Sequence, residues 1–329
     1  MKAFSYYNPT SIENAVAVLG KEERDSRALA GGTDLIGEIK NRYLAPDCLV
    51  NLKAIRGLEG ISFTDREGLK IGPLATLTEL AENKTVSSRY PGLAEAALSV
   101  GTPQLRNMGT VGGNICQRPR CWYYRGVEYP CLRKFGDTCY AVSGRNKYHA
   151  VIDGGPCFIV HPSDLAPMLM AFGASLTIRD SKNARVVPMD QFFVLPADDP
   201  TRENILKKGE LITQITVPPP PANAKSCYLK FKERESRDFA LASAAVVLEM
   251  DGKTCRKASL VLGGVSPAPH RAKKAEQALS GRELTLSAVE KAAEDAVSTA
   301  EPLEENKYKL RITKTILKRA VLRAAGVKI

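Results

Sequence analysis

Apolar and polar positions alternate along the first sixty residues in a way that predicts a small α/β unit. Residues 3–7 have the pattern of a strand, and Thr10 and Glu13 are spaced as a capping box for the helix that follows. Strand-like segments at residues 27–30 and 48–52 lie on either side of a second helical stretch. Strands and helices that alternate over so short a length favour an α/β arrangement.

Beyond residue 60 the pattern changes to that of hairpin strands. Short apolar runs at residues 61–63 and 69–71 are separated by turn-forming residues. Thr76 and Glu79 form a second capping box ahead of a helix, and strand-like alternation returns after residue 175. This stretch therefore predicts a second unit of mixed α+β structure.

Four consecutive prolines at residues 218–221 mark the clearest boundary, because such a run forms a stiff, extended linker. The chain beyond them predicts strands followed by helices, which is typical of a further domain. We expect three segments: residues 1–58, residues 59–217 with a cysteine-rich loop at about 115–160, and residues 222–329.

Composition and charge bear on the protein's location and on the kinds of partner it binds. The 329 residues carry 47 Lys or Arg against 36 Asp or Glu, a net charge of +11. Residues 306–329 hold eight Lys or Arg and no acid, which we interpret as the solvated basic face of a terminal helix, since no nucleic-acid motif accompanies it. No apolar run reaches the roughly 18 residues of a membrane helix. We expect a soluble, cytoplasmic protein that does not insert into a membrane, and the sequence leaves open export within a folded complex.

Two glycine-rich turns are the first candidates for chemistry: A-G-G-T-D at residues 30–34 and T-V-G-G-N at residues 110–114. Neither matches the dinucleotide fingerprint or the P-loop. Paired glycines allow close backbone approach and aim successive N–H groups at an anion, and a neighbouring Thr or Asn adds a side-chain hydrogen bond. Each turn alone is also typical of an ordinary tight turn. As a pair, they predict a site for a pyrophosphate.

A cluster of cysteines is the second candidate. Five of the eight cysteines fall within 42 positions: Cys116, Cys121, Cys131, Cys139 and Cys157. The last four are separated by nine, seven and seventeen residues, unlike the C-x-x-C pairs of structural zinc sites. An iron–sulfur cluster tolerates wider spacing, so the residues leave an Fe–S cluster, zinc and no metal all open. A four-ligand site leaves one of the five cysteines over. We interpret this one as Cys116, which is either structural or part of a cofactor pocket.

The remaining polar motifs give no catalytic machinery. His149, His161 and His270 fit no nucleophilic triad, and no acid–base dyad is visible, so we predict no catalytic residue. The stretch H-P-S-D-L-A-P at residues 161–167 predicts a turn entering a helix. Ser163 would cap that helix, and a negative charge on the next residue is favoured at its N-terminus.

In this order, the motifs resemble those of a known family. The chain resembles the FAD-binding medium subunit of molybdenum hydroxylases, the family of xanthine dehydrogenase, aldehyde oxidoreductase and carbon monoxide dehydrogenase. The resemblance rests on A-G-G-T-D-L, G-P-L-A-T, T-V-G-G-N-I-C-Q-R-P-R-C, H-P-S-D-L-A-P and Y-L-K-F-K-E-R. These motifs extend past the proline linker and cover nearly the whole chain.

The resemblance implies an α+β protein with a bipartite FAD-binding fold of the vanillyl-alcohol oxidase (PCMH) type. A CO dehydrogenase flavoprotein-like α/β domain would follow it. FAD would lie between the first two segments, with its isoalloxazine near Asp164 and Lys230. The cofactor-binding residues implied are Ala30, Gly31, Gly32, Thr33, Asp34, Thr76, Thr110, Gly112, Gly113, Asn114, Asp164 and Lys230.

The insertion between Asn114 and His161 resembles a subgroup of that family. This subgroup includes 4-hydroxybenzoyl-CoA reductase and bacterial periplasmic aldehyde oxidoreductases, whose flavin subunit carries an additional [4Fe–4S] cluster. The resemblance implies three ligands, Cys121, Cys131 and Cys139, and Cys157 is the only later cysteine nearby for the fourth.

The function implied is electron transfer within a heteromeric complex. The partners would be a large molybdopterin-binding subunit and a small [2Fe–2S] subunit, and the organic substrate would react on the large one. The extra cluster would serve as a relay or as an inlet for a low-potential donor. Two alternatives are a free-standing flavin oxidoreductase, which needs an acid or base that we do not find, and a zinc-stabilised binding module, which leaves the glycine turns without a role.

Overall fold

A three-stranded sheet and two helices form the first region of the computed structural model, which describes residues 1–327. The strands are parallel in the order β1-β3-β2, because a helix connects each strand to the next. The elements are β1 (Ser5–Tyr7), α1 (Ile12–Leu19), β2 (Ser26–Leu29), α2 (Leu35–Lys40) and β3 (Cys48–Asn51). The predicted capping box of Thr10 and Glu13 is wrong: α1 begins one residue later, and Ser11 Oγ accepts a hydrogen bond from the Asn14 N–H at 3.2 Å.

The second region contains a five-stranded antiparallel sheet in the order β4-β5-β8-β6-β7. Its strands are β4 (Ile61–Thr64), β5 (Gly68–Ile71), β6 (Ser175–Arg179), β7 (Ala184–Pro188) and β8 (Leu211–Val217). Its helices are α3 (Leu77–Glu82), α4 (Lys84–Arg89), α5 (Pro91–Leu98), α6 (Pro103–Met108), α7 (Val111–Ile115), α8 (Trp122–Arg125) and α9 (Leu165–Ala171). The predicted hairpin and the capping box of Thr76 and Glu79 are both confirmed. Helix α9 and strands β5 and β8 bury their apolar residues in one core.

The third region begins after the proline run, which belongs to no helix or strand. Its sheet has the order β12-β11-β10-β9, with β13 pairing with β11. The elements are β9 (Ala224–Phe231), β10 (Ala242–Asp251), β11 (Thr254–Gly263), β12 (His270–Arg271), α10 (Lys273–Leu279), β13 (Arg282–Glu283), α11 (Leu286–Asp295) and α12 (Tyr308–Ala324). Helices α10, α11 and α12 share a second core with this sheet.

The long connection between α7 and α9 is mostly irregular, as predicted. Its only helical elements are α8 and a short 3-10 turn, Leu132–Lys134, and it carries all five of the clustered cysteines. We call residues 116–160 the insertion.

The second and third regions pack together through α5 and β9. The Gly92 N–H donates to Ser226 Oγ at 3.0 Å, and the Tyr228 N–H donates to Glu95 Oε2 at 2.8 Å. Cofactor sites lined by both regions are therefore held in a fixed geometry. No helix in the described part of the chain combines the length and apolarity needed to cross a membrane.

Candidate functional site

The first glycine turn leaves the end of β2 and enters α2. Gly32 has φ +72°, a left-handed conformation that favours glycine. A Cβ on Gly31 would lie 2.0 Å from the Met108 carbonyl oxygen, so only glycine lets this turn approach the end of α6. Within residues 1–327, the N–H groups of Gly32 and Thr33 donate no hydrogen bond, so they are free to bind an anion.

The second glycine turn is anchored from behind by the segment that follows β5. The Gly112 N–H donates to the Pro73 carbonyl at 2.9 Å, and a Cβ on Gly112 would lie 2.8 Å from Pro73 Cβ. Thr110 Oγ1 accepts from the Gly113 N–H at 3.1 Å. Asn114 Oδ1 accepts from Ser163 Oγ at 2.6 Å, which connects the turn to the start of α9. These contacts fix the position of the turn.

The two turns face each other across one part of an elongated cavity, which continues past Asp164 to a second part lined by Cys121 and His149. We call the whole cavity the flavin groove. Nine of the predicted cofactor residues line it: Ala30, Gly31, Gly32, Thr33, Asp34, Thr110, Gly113, Asn114 and Asp164. Cys116 also lines it. Three predicted residues lie outside the lining: Thr76 caps α3, Gly112 packs against Pro73, and Lys230 reaches the groove only through Asp164. An extended cavity between two glycine turns, the first of which has free N–H groups, fits the shape and charge of a dinucleotide.

Asp34 ties the groove to the insertion. Its carboxylate accepts from the Arg118 N–H at 2.7 Å and from Arg125 Nη2 at 2.8 Å, and it pairs with Arg120. Burial alone would raise the pKa of Asp34, but the guanidinium groups of Arg120 and Arg125 hold it below its usual range. Asp34 is therefore an ionised anchor that holds the insertion against the first glycine turn.

Asp164 lies between the glycine turns and the end of the groove that Cys121 and His149 line, and it is 4% exposed. Its two oxygens accept from Tyr228 Oη and Lys230 Nζ, both at 2.7 Å. Burial and the neighbouring Asp164 raise the pKa of Tyr228, so the phenol stays a donor. The predicted cap is confirmed, since Ser163 Oγ accepts from the Ala166 N–H at 3.0 Å. Strand β9 thus supplies two donors that fix the carboxylate of Asp164.

Four cysteines of the insertion converge on one small cavity, which with His149 we call the cysteine site. Its sulfur-bearing members are the four predicted ligands, Cys121, Cys131, Cys139 and Cys157. A hydrogen bond between the Cys139 and Cys157 thiols lowers the pKa of Cys139 and raises the pKa of Cys157. Burial raises the pKa of Cys121 to about 11. Among residues 1–327, no group of three or more His, Cys, Asp or Glu is arranged to hold one metal ion.

The cysteine site offers the donors that either metal group left open by the sequence would use. A single tetrahedral zinc draws its four ligands around one atom. In a [4Fe–4S] cluster each thiolate binds a different iron. Four thiols that line a common cavity are the donor type for both groups.

His149 is a member of the cysteine site that the sequence did not single out. Its Nε2 lies 3.2 Å from Cys121 Sγ, and its ring packs edge-on against Trp122 at 5.5 Å between centroids. Burial, with a smaller contribution from Lys309, lowers the pKa of His149 to about 4, so the ring is neutral. A lone histidine gives no sequence signal of such a contact, because its partner is 28 positions away.

The start of α12 holds the end of the insertion in place. Lys309 is fully buried, and its Nζ donates to the carbonyls of Tyr148, His149 and Gly264 at 3.2, 3.0 and 2.6 Å. Asn306 Nδ2 also donates to the His149 carbonyl, at 3.3 Å. We call Lys309 and Asn306 the clamp. The interpretation of the terminal basic residues as a solvated face is wrong for Lys309, because unsatisfied carbonyls of the insertion need its donors.

The family models match nearly the whole chain. The model described as FAD binding domain in molybdopterin dehydrogenase matches residues 2–220, and the model described as CO dehydrogenase flavoprotein C-terminal domain matches residues 226–324. The predicted fold, an FAD-binding unit followed by a CO dehydrogenase flavoprotein-like unit, is confirmed by these matches.

Individual relatives are similar over the same length. The aldehyde oxidoreductase FAD-binding subunit PaoB of Escherichia coli K12 is 33% identical over 96% of this chain and 96% of its own. The carbon monoxide dehydrogenase medium chain of Afipia carboxidovorans is 30% identical over 98% and 96%. A solved structure of carbon monoxide dehydrogenase from Hydrogenophaga pseudoflava superimposes with a TM-score of 0.78 at 30% identity, covering 98% of this chain and 97% of that chain.

Proposed function

Because the chain belongs to the family of FAD-binding medium subunits of molybdenum hydroxylases, we propose that it transfers electrons between a partner subunit and an external acceptor or donor. It is a subunit of an oxidoreductase complex. The observation that carries the proposal is the flavin groove, which runs from the two glycine turns to Asp164 and from there to the cysteine site.

The residues that would hold FAD follow from the lining of the groove. The free N–H groups of Gly32 and Thr33 would bind its pyrophosphate, with Gly113 and Thr110 on the opposite wall. When bound, FAD can accept electrons singly and release them singly or in pairs. The lining residues would orient the flavin, and Asp164 is kept in place by its two donors from β9.

We propose that the cysteine site holds a [4Fe–4S] cluster with Cys121, Cys131, Cys139 and Cys157 as ligands. The observation that supports this is that the four thiols line one cavity. The cavity adjoins the flavin groove, because Cys121 and His149 line both. The two redox groups would then occupy adjoining cavities.

We further propose the partners that the family implies. The relatives include medium chains of carbon monoxide dehydrogenase, and a medium chain works beside larger and smaller subunits. A large molybdopterin-binding subunit would oxidise the organic substrate, and a small [2Fe–2S] subunit would pass the electrons to this chain. Because the substrate would react on the large subunit, the chain alone should not oxidise an organic substrate.

The first experiment is a visible spectrum, with flavin, iron and sulfide analysis, of the anaerobically purified chain. We expect about one FAD, four irons and four sulfides per chain. Cys131→Ala should lose the iron and keep FAD, whereas the control Cys255→Ala, a buried cysteine of the third region, should keep both. Zinc in place of iron would contradict the cluster, and a chain that stays colourless when FAD is supplied would contradict the flavin function as well.

A second experiment separates the subunit from a free-standing oxidoreductase. The flavin of the isolated chain should stay oxidised when aldehydes or N-heterocyclic substrates are added, and it should be reduced when the partner subunits are also present. Reduction by an organic substrate without partners would favour the free-standing enzyme.

A further inference from the structure

His149 occupies the one boundary where the flavin groove and the cysteine site meet. Its side chain lines both cavities, as does Cys121. The ring is 4% exposed and lies against Trp122. A polar side chain in such a place needs a partner, because a buried ring nitrogen without a hydrogen bond is costly.

The orientation of the imidazole is fixed by the backbone on both sides. The His149 N–H donates to the Asn146 carbonyl at 3.0 Å, and the clamp, Lys309 and Asn306, donates to the His149 carbonyl. Nε2 lies 3.2 Å from Cys121 Sγ, while Nδ1, which has the Asn146 carbonyl in its surroundings, makes no hydrogen bond of good geometry within residues 1–327. A cysteine that ligates iron is a thiolate and can only accept a hydrogen bond, so the proton belongs on Nε2.

We propose that His149 is a positioning residue that donates an N–H···S hydrogen bond to Cys121 and thereby raises the reduction potential of the cluster. The inference rests on the proposed [4Fe–4S] cluster and goes beyond it by assigning a residue outside the four ligands. A hydrogen bond to a ligand sulfur withdraws negative charge from the cluster, which stabilises its more negative, reduced form. This hydrogen bond would therefore change the difference in reduction potential that drives electron exchange between the cluster and a flavin bound in the groove.

The test compares two substitutions of similar length that differ in their donor. His149→Gln keeps an N–H group, and His149→Met removes it. His270→Gln is the control, because His270 lies in β12, pairs with Asp153 at 2.9 Å and lines neither cavity. The full chain is purified anaerobically with its partner subunits, and EPR-monitored titration gives the potential of the cluster, with the flavin of the same sample as internal reference.

At the potential where the wild-type cluster is half reduced, we expect the ratio of reduced to oxidised cluster in H149M to be about tenfold lower. A tenfold change corresponds to about 59 mV for one electron, and it matches the loss of one hydrogen bond to a charged group. H149Q should stay within about twofold of wild type, and H270Q should match it.

Each other outcome overturns the proposal. Equal potentials in wild type and H149M would show that no hydrogen bond tunes the cluster, and equal shifts in H149Q and H149M would show that the donor is not what matters. Loss of iron from both variants, or a three-iron signal, would make His149 an iron ligand. Absence of iron from the wild-type chain, read before any variant is made, would instead refute the proposed cluster.

Discussion

The flavin groove and the cysteine site lie side by side, but they are built by different means. The groove is made by backbone: two glycine turns that approach each other because neither carries a Cβ where they meet a neighbouring segment. The cysteine site is made by side chains of an irregular insertion. That insertion is held in place by Asp34 at one end and by the clamp at the other.

The two sites therefore depend on different kinds of contact: the groove on residues close to each glycine, and the cysteine site on residues far away in the chain. A site built by backbone depends on a few neighbouring residues, and changing one glycine should destroy it. A site built on an irregular segment depends on contacts from elsewhere in the chain, and removing any one of them should weaken it gradually. The following predictions test that contrast.

The largest effect on FAD binding should come from Gly31→Ala. The new Cβ would lie 2.0 Å from the Met108 carbonyl oxygen, so the first glycine turn must move away from α6. Overpacking of this kind costs about 1–3 kcal/mol, which corresponds to a loss of about tenfold to a hundredfold in FAD affinity. The flavin content of the protein after dialysis measures this loss of affinity. Gly37→Ala, whose Cβ would meet nothing within 4 Å, is the control, and equal flavin loss in both variants would refute the backbone account.

Lys309→Met should be next, because it leaves three buried carbonyls without their shared donor. We expect a loss of about 2–4 kcal/mol in the free energy of unfolding, together with lower iron content. Lys318→Met lies on the same helix, where Lys318 forms an exposed pair with Glu290, and should change stability by less than about 0.5 kcal/mol. Denaturant titration compares the two, and similar losses would mean that α12 does not hold the insertion in place.

Asp34→Asn should cost about 2 kcal/mol, because it breaks a partly buried contact with two arginines. The pKa of Asp34 is lowered in the folded protein, so its contribution is present at neutral pH and is lost as the pH falls through the folded pKa. Limited proteolysis should cut the insertion faster in this variant while the rest of the chain stays resistant. Unchanged cleavage would show that Asp34 is not the anchor of the insertion.

Glu38→Gln should have the opposite dependence on pH. Burial, with Asp34 nearby, raises the pKa of Glu38 from 4.5 to about 7. The folded protein therefore binds more protons than the unfolded chain between these values, and wild-type stability falls as the pH rises through them. The variant should gain about 2–3 kcal/mol relative to wild type between pH 5 and pH 8. The exposed Glu22→Gln serves as control, and a gain that is constant with pH would contradict the raised pKa.

The same contrast explains what the sequence could predict. Sheets, most helices and the glycine turns follow from patterns within a few residues, and the structure has them nearly where expected. Even there, the capping box of Thr10 failed because one position decides which side chain reaches the helix N–H groups. The four cysteines were found because their residue type is itself a signal.

The contacts that hold the insertion in place could not be predicted from the sequence. Asp34 reads as a cofactor residue beside glycines, yet its partner Arg125 is 91 positions away. Lys309 reads as one more basic residue on a terminal helix, yet it bonds the His149 carbonyl from 160 positions away. Common residue types at such separations carry no periodic pattern, so only the fold brings them together.

The clamp also imposes an order on how the protein is made. A ribosome releases the insertion long before it has synthesised Asn306 and Lys309, and until then the carbonyls around His149 have no donors to fix them. The glycine turns, by contrast, have all their partners within the first half of the chain. Maturation would therefore run in one direction along the chain. The nucleotide groove can take shape during translation, whereas the sulfur-rich pocket is finished only when the last helix emerges and closes behind it.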